Sequence, residues 1–126
     1  MPRYRLSPLA EQDLEAILTW THEHFGEQGR IRYEALLVRA ILDVAADPQR
    51  PGCQPRPELA PGAMTFHLLR SRDHVPNATG RVRQPRHFLL FRIAADGCLE
   101  IGRVLHDSMD LERHLPDEYR PPVPES

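Results

Sequence analysis

An arginine and a histidine lie three residues apart near the C-terminal end of the chain, at Arg103 and His106, inside an otherwise apolar segment. Histidine exchanges protons near neutral pH, and arginine binds anions and stabilises developing negative charge. Arg70 and Arg92 lie in or beside other apolar segments. These residue types permit general acid–base chemistry. They also permit a simpler role for His106, as a strand-end histidine hydrogen-bonded to the acidic turn that follows.

The strand expected here separates the two side chains, because successive residues of a regular strand point to opposite faces. Alternation places Leu99, Ile101, Arg103 and Leu105 on one face, and Glu100, Val104 and His106 on the other. A β-bulge at Gly102 would shift the residues before it relative to those after it, and would still leave Arg103 and His106 opposed. No tyrosine is close to His106 in the sequence, and the chain has no lysine. We therefore interpret His106 as bonded to the turn that begins at Asp107.

The arginines are unevenly distributed along the chain. Six arginines and one acidic residue lie between Arg70 and Arg92, whereas eight acidic residues and three arginines lie in residues 94–126. Arg81, Arg83 and Arg86 form a basic loop suited to contact a nucleic acid or an acidic protein surface. The alternative is an ordinary solvated loop. The basic loop has no aromatic residue, which argues against recognition of single-stranded nucleic acid.

The length and the cysteines indicate one small domain. We expect 126 residues to form a single domain over residues 1–126, ordered from about 3 to 116, with a proline-rich tail at 117–126. No segment reads as a membrane span or a secretory signal. Cys53 and Cys98 have neither metal nor redox spacing, so we expect reduced thiols, a cytoplasmic location, no metal and no cofactor.

Helix signals dominate the N-terminal half. After a short strand at residues 4–6, Ser7 and Pro8 read as an N-cap and a first helical residue. Apolar residues then recur at helical spacing in two runs that Gly26 and Gly29 interrupt, and the second run ends at residues 47–48. Two helices joined by a short link predict a helical hairpin.

Strand signals dominate the C-terminal half. A proline-rich loop without regular structure is expected at residues 47–62, followed by strands at 64–70, 87–93 and 99–106. A polar insert at 71–86 separates the first two of these strands. The order predicts an α+β fold, in which an N-terminal strand and a helical hairpin pack on a small antiparallel sheet that a short C-terminal helix follows.

Three segments together resemble the RelE/ParE toxin superfamily over about residues 4–115. They read YRLSPLAEQDLEAI at the first helix, RHFLLFRI followed by the turn AADG, and EIGRVLHDSMDLERHL at the end. The succession of RVLH and MDLERHL resembles ParE-type toxins in particular. The insert at 71–86 departs from the common pattern of the superfamily.

The resemblance implies a ParE-like toxin of a type II toxin–antitoxin module that inhibits DNA gyrase by binding and has no catalytic residues. Target-binding candidates are Arg81, Arg83, Arg86, Arg103 and His106. The alternative is a RelE-like, ribosome-dependent mRNA endonuclease that would use Arg70, Arg103 and His106. An imidazole and a guanidinium clustered at a phosphate-sized hollow would favour that alternative. A third possibility is an antitoxin-binding protein that has lost its toxicity.

The resemblance also implies a ParD-like antitoxin as partner. Such antitoxins lay a flexible segment along the helical hairpin and the sheet, and a segment that orders on binding can cover a large surface. Candidate contacts are Leu14, Leu18, Leu36 and Val38, which could equally be ordinary core residues. We expect no membrane contact and no direct sequence-specific binding of nucleic acid, because contact with operator DNA would come from the antitoxin.

Overall fold

The computed structural model describes residues 3–119, except for the side chains of residues 112 and 118. The strands are β1 (Tyr4–Leu6), β2 (Gln54–Pro55), β3 (Met64–His67), β4 (His87–Ile93) and β5 (Leu99–His106). The helical stretch Pro8–Ala46 is broken into two helices, α1 (residues 8–25) and α2 (residues 27–46). Short 3-10 helices span Leu68–His74, Leu111–His114 and Asp117–Tyr119. The two helices and the sheet confirm the predicted α+β class.

The ends of the helical stretch lie where the sequence signals place them. The Ala10 N–H donates to Ser7 Oγ at 3.0 Å, and Pro8 occupies the first turn, where its missing N–H costs no hydrogen bond. The Ser7 hydroxyl also donates to the Gly102 carbonyl at 2.7 Å, which fixes the start of α1 to β5. The stretch ends at Asp47, whose N–H donates to the carbonyl of Asp43.

One glycine breaks the helical stretch. Gly26 has φ 77° and ψ −175°, a backbone conformation that interrupts helical hydrogen bonding and that glycine adopts without strain. Gly29, which we expected to interrupt the helix as well, lies inside α2. A Cβ on Gly29 would lie 2.6 Å from Phe25 Cβ, so this glycine provides room for a side chain of α1.

The strands form one sheet in the order β1-β5-β4-β3-β2. β1 runs parallel to β5, and the other neighbours are antiparallel. The sheet is therefore mixed, whereas the sequence predicted an antiparallel one. The direction of β1 is set by its pairing with β5 and by the attachment of Ser7 to that strand, and both partners lie more than ninety residues further along the chain.

Two other elements differ from the prediction. The proline-rich segment contains β2, which pairs with β3 through Gln54 and Pro55. The strand expected at 64–70 ends at His67, where a 3-10 helix begins. This helix is fixed to α2 because the Ser71 hydroxyl donates to Asp43 Oδ2 at 2.5 Å and His74 Nδ1 lies 2.8 Å from the same oxygen. The start of the polar insert is thus a packed element.

Gly102 forms a β-bulge in β5, as its position suggested. Leu90 is opposite Arg103, while Phe91 is opposite Ile101, so Gly102 has no partner on β4. The bulge changes the alternation of side chains. Ile101 and Val104 share the core beneath the helices, so Ile101 is shifted relative to Arg103, as we expected for a strand with a bulge at Gly102.

Both faces of the sheet are covered. The main core lies between the sheet and the helices and includes Leu36, Leu37, Ala40, Val44, Phe66, Leu89, Phe91 and Ile101. A smaller core on the opposite face joins Leu59, Ala60, Ala63, Leu90 and Tyr119, with Leu111 and Leu115 partly buried beside it. Tyr119, which we assigned to the tail, is only 2% exposed, and residues 120–126 of that tail lie outside the described residues. No helix within residues 3–119 is long and apolar enough to cross a membrane.

Candidate functional site

Arg103 is fully engaged in holding elements together. Its Nε and Nη2 each donate to a carboxylate oxygen of Asp13 on α1 at 2.8 Å, and its Nη1 donates to the His114 carbonyl at 3.0 Å. The Val104 N–H donates to Asp13 as well. The side chains of Arg103 and Asp13 are only 17% and 14% exposed. Arg103 therefore fixes α1 and the C-terminal segment to β5.

His106 lies at the end of β5, on the opposite side of the sheet from Arg103. Its Nδ1 accepts a hydrogen bond from the Ser108 N–H at 3.1 Å and lies 2.7 Å from Ser108 Oγ. The carboxylate of Asp107 is 3.6 Å away. His106 thus caps the turn after β5, in agreement with the structural interpretation of this residue. The separation of Arg103 from His106 agrees with the prediction that they do not cooperate.

His106 is connected to a tyrosine through His87, although no tyrosine is near it in the sequence. Tyr33 of α2 is hydrogen-bonded through its hydroxyl to His87 Nδ1, and the His87 ring packs edge-on against the His106 ring with centroids 5.3 Å apart. The Arg86 N–H donates to the same hydroxyl at 3.3 Å. His87 could have been found from the sequence, because the short turn at Gly97 brings it opposite His106.

Burial sets the proton affinity of this pair. Desolvation, followed by the electrostatic influence of the nearby His106 ring, lowers the pKa of His87 to about 4. Desolvation also raises the pKa of Tyr33 to about 12. Both groups are therefore neutral over the physiological range, which suits a structural hydrogen bond better than proton exchange.

Asp107 connects the ends of three strands. It accepts hydrogen bonds from Arg86 Nε and Nη2 at 3.0–3.1 Å and from His67 Nε2 at 3.1 Å. The Leu69 N–H donates to His67 Nδ1, so the ring proton lies on Nε2 and points at Asp107. The hydrogen bond from Arg86 is the main reason that the pKa of Asp107 falls to about 2.

The basic loop is held in shape by its own arginines. Arg81 donates to the carbonyls of Val75 and Asp73, and Arg86 binds Asp107. Arg83 is exposed, and its side chain makes no hydrogen bond or ion pair with any residue that the structure describes. Of the three candidates in the basic loop, Arg83 is therefore the one with a free guanidinium.

A cationic hollow of about 300 Å³ opens at the edge of β3, on the sheet face opposite the helices. We call it the arginine hollow; it is lined by Gly52, Gln54, Arg56, Thr65, His67, Arg70, Phe88, Asp107, Met109 and Leu111. Arg70, one of the three residues expected in a nuclease, lies here. Neither Arg103 nor His106 lines the hollow, so the predicted catalytic set is not assembled. The hollow does contain an imidazole and guanidinium groups. Both nitrogens of its His67 ring are already hydrogen-bonded, one accepting from the Leu69 N–H and the other donating to Asp107, so the ring is not available to exchange a proton with a ligand.

Comparison with known proteins identifies the family. A family model described as "ParE toxin of type II toxin-antitoxin system, parDE" matches residues 4–111. The chain belongs to the ParE toxin family. Two curated relatives, both named Toxin ParE1, come from Mycobacterium tuberculosis strains CDC 1551 / Oshkosh and ATCC 25618 / H37Rv. Each is 28% identical over 113 residues, which cover 90% of this chain and 97% of the relative. Membership of a toxin–antitoxin family implies an antitoxin partner.

The candidate antitoxin contacts differ in accessibility in this ParE family member. Val38 of α2 is 50% exposed and available to a partner. Leu14 and Leu18 of α1 are partly buried against the main core. Leu36 is buried within that core, so its proposal as an exposed anchor is corrected. The reason is that the apolar stripe of α2 is wide, and Leu36 lies inside it whereas Val38 is half exposed.

Proposed function

We propose that this ParE family member inhibits DNA gyrase in the cytoplasm by binding it, without catalysis, and that a ParD-like antitoxin neutralises it. The observation that carries the proposal is the engagement of Arg103 by Asp13 and the His114 carbonyl. A guanidinium whose donors are occupied by a carboxylate and a carbonyl has few left to stabilise a transition state. His106, the other half of the candidate pair, is on the opposite face.

Contact with the target is proposed to involve the basic loop. Arg83 is the free cation of this loop, while Arg81 and Arg86 keep its shape. His106 lies at the same end of the sheet as Arg86 and is partly exposed. Arg103 holds α1 and the C-terminal segment to β5, and it is no longer among the residues that we expect to touch the target.

The test compares two activities of the purified protein. In a gyrase supercoiling assay the protein should inhibit, and in a primer-extension assay on translated mRNA it should leave transcripts intact. Arg83→Gln should weaken gyrase inhibition about tenfold, the effect of losing one well-placed charged contact. Arg113→Gln removes an exposed arginine paired with Asp110 and serves as the matched control.

The outcomes of this test discriminate between the functions considered. Codon-phased cuts in mRNA with normal supercoiling would replace the proposal with the endonuclease. Absence of both effects, with the antitoxin still bound, would indicate a protein that has lost its toxicity. Equal effects of Arg83→Gln and Arg113→Gln would exclude the basic loop as the contact.

The antitoxin is proposed to bind along the helical hairpin. Large exposed apolar side chains occur there at Leu9, Trp20, Phe25, Ile31 and Val38. A shallow depression along α1 is lined by Trp20 together with Glu15 and Glu23. This combination favours an antitoxin segment that carries apolar and basic residues.

Binding of a ParD-like antitoxin can be measured for two matched variants. Val38→Glu places a charge at the proposed contact and should weaken binding at least tenfold. Ile93→Glu introduces the same charge at a position of similar exposure, at the end of β4 and away from the hairpin. Equal binding by the two variants would show that the antitoxin does not contact α2 at this position.

A further inference from the structure

The arginine hollow has a cation that is positioned and has no partner. A Cβ on Gly52 would lie 2.8 Å from Arg70 Cγ and 3.2 Å from its Cδ, so the bare backbone of this glycine packs against the arginine stem. Gly52 has φ 102°, which favours glycine at this position. The guanidinium of Arg70 makes no hydrogen bond or ion pair with any residue among 3–119. A fixed stem with a free charged end is suited to bind an anion.

The other walls of the arginine hollow provide complementary chemistry. Arg56 adds a second guanidinium, whose one ion pair among the described residues is with the exposed Glu58. Phe88 and Met109 supply apolar surface. The carboxylate of Asp107 also lines the hollow, where its two oxygens are occupied by Arg86 and His67. The charge of Asp107 is offset by Arg86, so it does not cancel the positive charge of Arg70.

We propose that the arginine hollow binds a nucleotide, with Arg70 and Arg56 holding its phosphate and Phe88 and Met109 contacting the base. Arginine forks fit the oxygens of a phosphate in pairs. A volume of about 300 Å³ is at the small end of ligand sites, which suits a mononucleotide. The inference goes beyond gyrase inhibition and does not depend on it.

The experiment titrates the whole protein with adenosine 5′-monophosphate and follows backbone amide signals by NMR at constant ionic strength. The shifts should concentrate at Gly52, Arg70 and Met109. Inorganic phosphate and adenosine should each bind at least fivefold more weakly, because each lacks half of the proposed contacts. Succinate, a dicarboxylate, should bind more weakly still.

Three variants separate the hollow from general attraction to a basic surface. Arg70→Gln should weaken nucleotide binding about tenfold, and Arg56→Gln should also weaken it. Arg83→Gln removes the same charge from the basic loop and should leave binding unchanged. The proposal is overturned if the shifts centre on residues 81–86, if Arg70→Gln and Arg83→Gln behave alike, or if phosphate or succinate binds as tightly as the nucleotide. Cleavage of the nucleotide plays no part in it.

Discussion

At the scale of single residues, Arg103, the arginine of the candidate catalytic pair, has a structural role. Arg103 and Asp13 are ninety positions apart in sequence, and each is largely withdrawn from solvent. Asp13 raises the pKa of Arg103 further, so the guanidinium remains charged at any pH at which the protein folds. A paired charge of this kind matters most when one partner is removed, because the other is then left unpaired in a poorly hydrated site.

Arg103→Gln should lower the free energy of unfolding by roughly 2 to 4 kcal/mol, since it leaves Asp13 without its main partner. Urea denaturation measures this directly. Arg113→Gln breaks an exposed pair with Asp110 and should cost less than about 0.5 kcal/mol. In an Asp13→Asn background the cost of Arg103→Gln should shrink. An unchanged cost there would show that the two side chains are not coupled.

His87 predicts a specific dependence of stability on pH. The folded protein keeps this ring neutral down to its pKa of about 4, while the ordinary value in the unfolded chain is 6.5. Between these values the unfolded state binds more protons, so stability falls as the pH drops from 6.5 towards 4. The expected loss is about 2 kcal/mol, after allowance for the partial exposure of the ring.

Urea denaturation at pH 7, 5.5 and 4.5 measures that loss. His87→Gln, which keeps an acceptor for Tyr33, should flatten the dependence over this window, whereas His22→Gln should leave it as in the parent protein. Asp107 and Asp43 contribute in a lower window, because their pKa values are lowered and their stabilisation is lost only below about pH 4. A parent protein equally stable at pH 7 and 4.5 would contradict the assignment of His87 as buried and neutral.

At the scale of elements, the β-bulge and the C-terminal 3-10 helix depend on each other. Tyr119 packs over Gly102, its hydroxyl donates to the Glu100 carbonyl at 3.2 Å, and the guanidinium of Arg92 lies 4.4 Å from its ring centroid. A Cβ on Gly102 would lie 2.7 Å from the Tyr119 hydroxyl and 3.0 Å from Pro116. The absence of a side chain at Gly102 is what allows the C-terminal segment to cover the sheet.

Gly102→Ala should therefore displace the C-terminal segment and cost about 1 to 3 kcal/mol. Hydrogen exchange at the Tyr119 amide, which donates to the Pro116 carbonyl, should become markedly faster. In a Tyr119→Ala background the same substitution should cost less, because the clash with the tyrosine ring is gone and only the longer approach to Pro116 remains. A similar cost in both backgrounds would place the effect in the bulge itself and not in its contact with Tyr119.

The same elements show what the sequence could reveal. β4 and β5 have the bounds that their apolar runs predicted, and the N-cap at Ser7 follows from local chemistry. The parallel direction of β1 and the contact of Tyr33 with His87 depend on packing between distant segments, and no local pattern records them. The positioning of Arg70 depends on a glycine in a loop, where sequence periodicity has no meaning.

At the scale of the whole molecule, distinct surfaces separate the proposed partners. The helical hairpin presents apolar side chains beside acidic ones, whereas the basic loop presents arginines near the ends of β4 and β5. The arginine hollow opens on the sheet face opposite the helices. The antitoxin proposed on the hairpin therefore does not have to fill the site proposed for the target, and it would neutralise the toxin either by extending over the sheet or by fixing the hairpin.

His106→Ala tests whether the protein acts by binding or by proton transfer. His106 contacts Ser108 and the His87 ring, so its loss should lower the free energy of unfolding by about 1 kcal/mol without changing the basic loop. Growth inhibition and gyrase inhibition should stay within about threefold of the parent, because most side chains of an interface contribute little individually. Removal of a general acid or base would instead reduce activity by a factor of about 100 or more. Loss of toxicity on that scale, in a variant whose urea midpoint shows that it is folded, would make His106 a catalytic residue. The endonuclease would then replace gyrase inhibition as the proposed function.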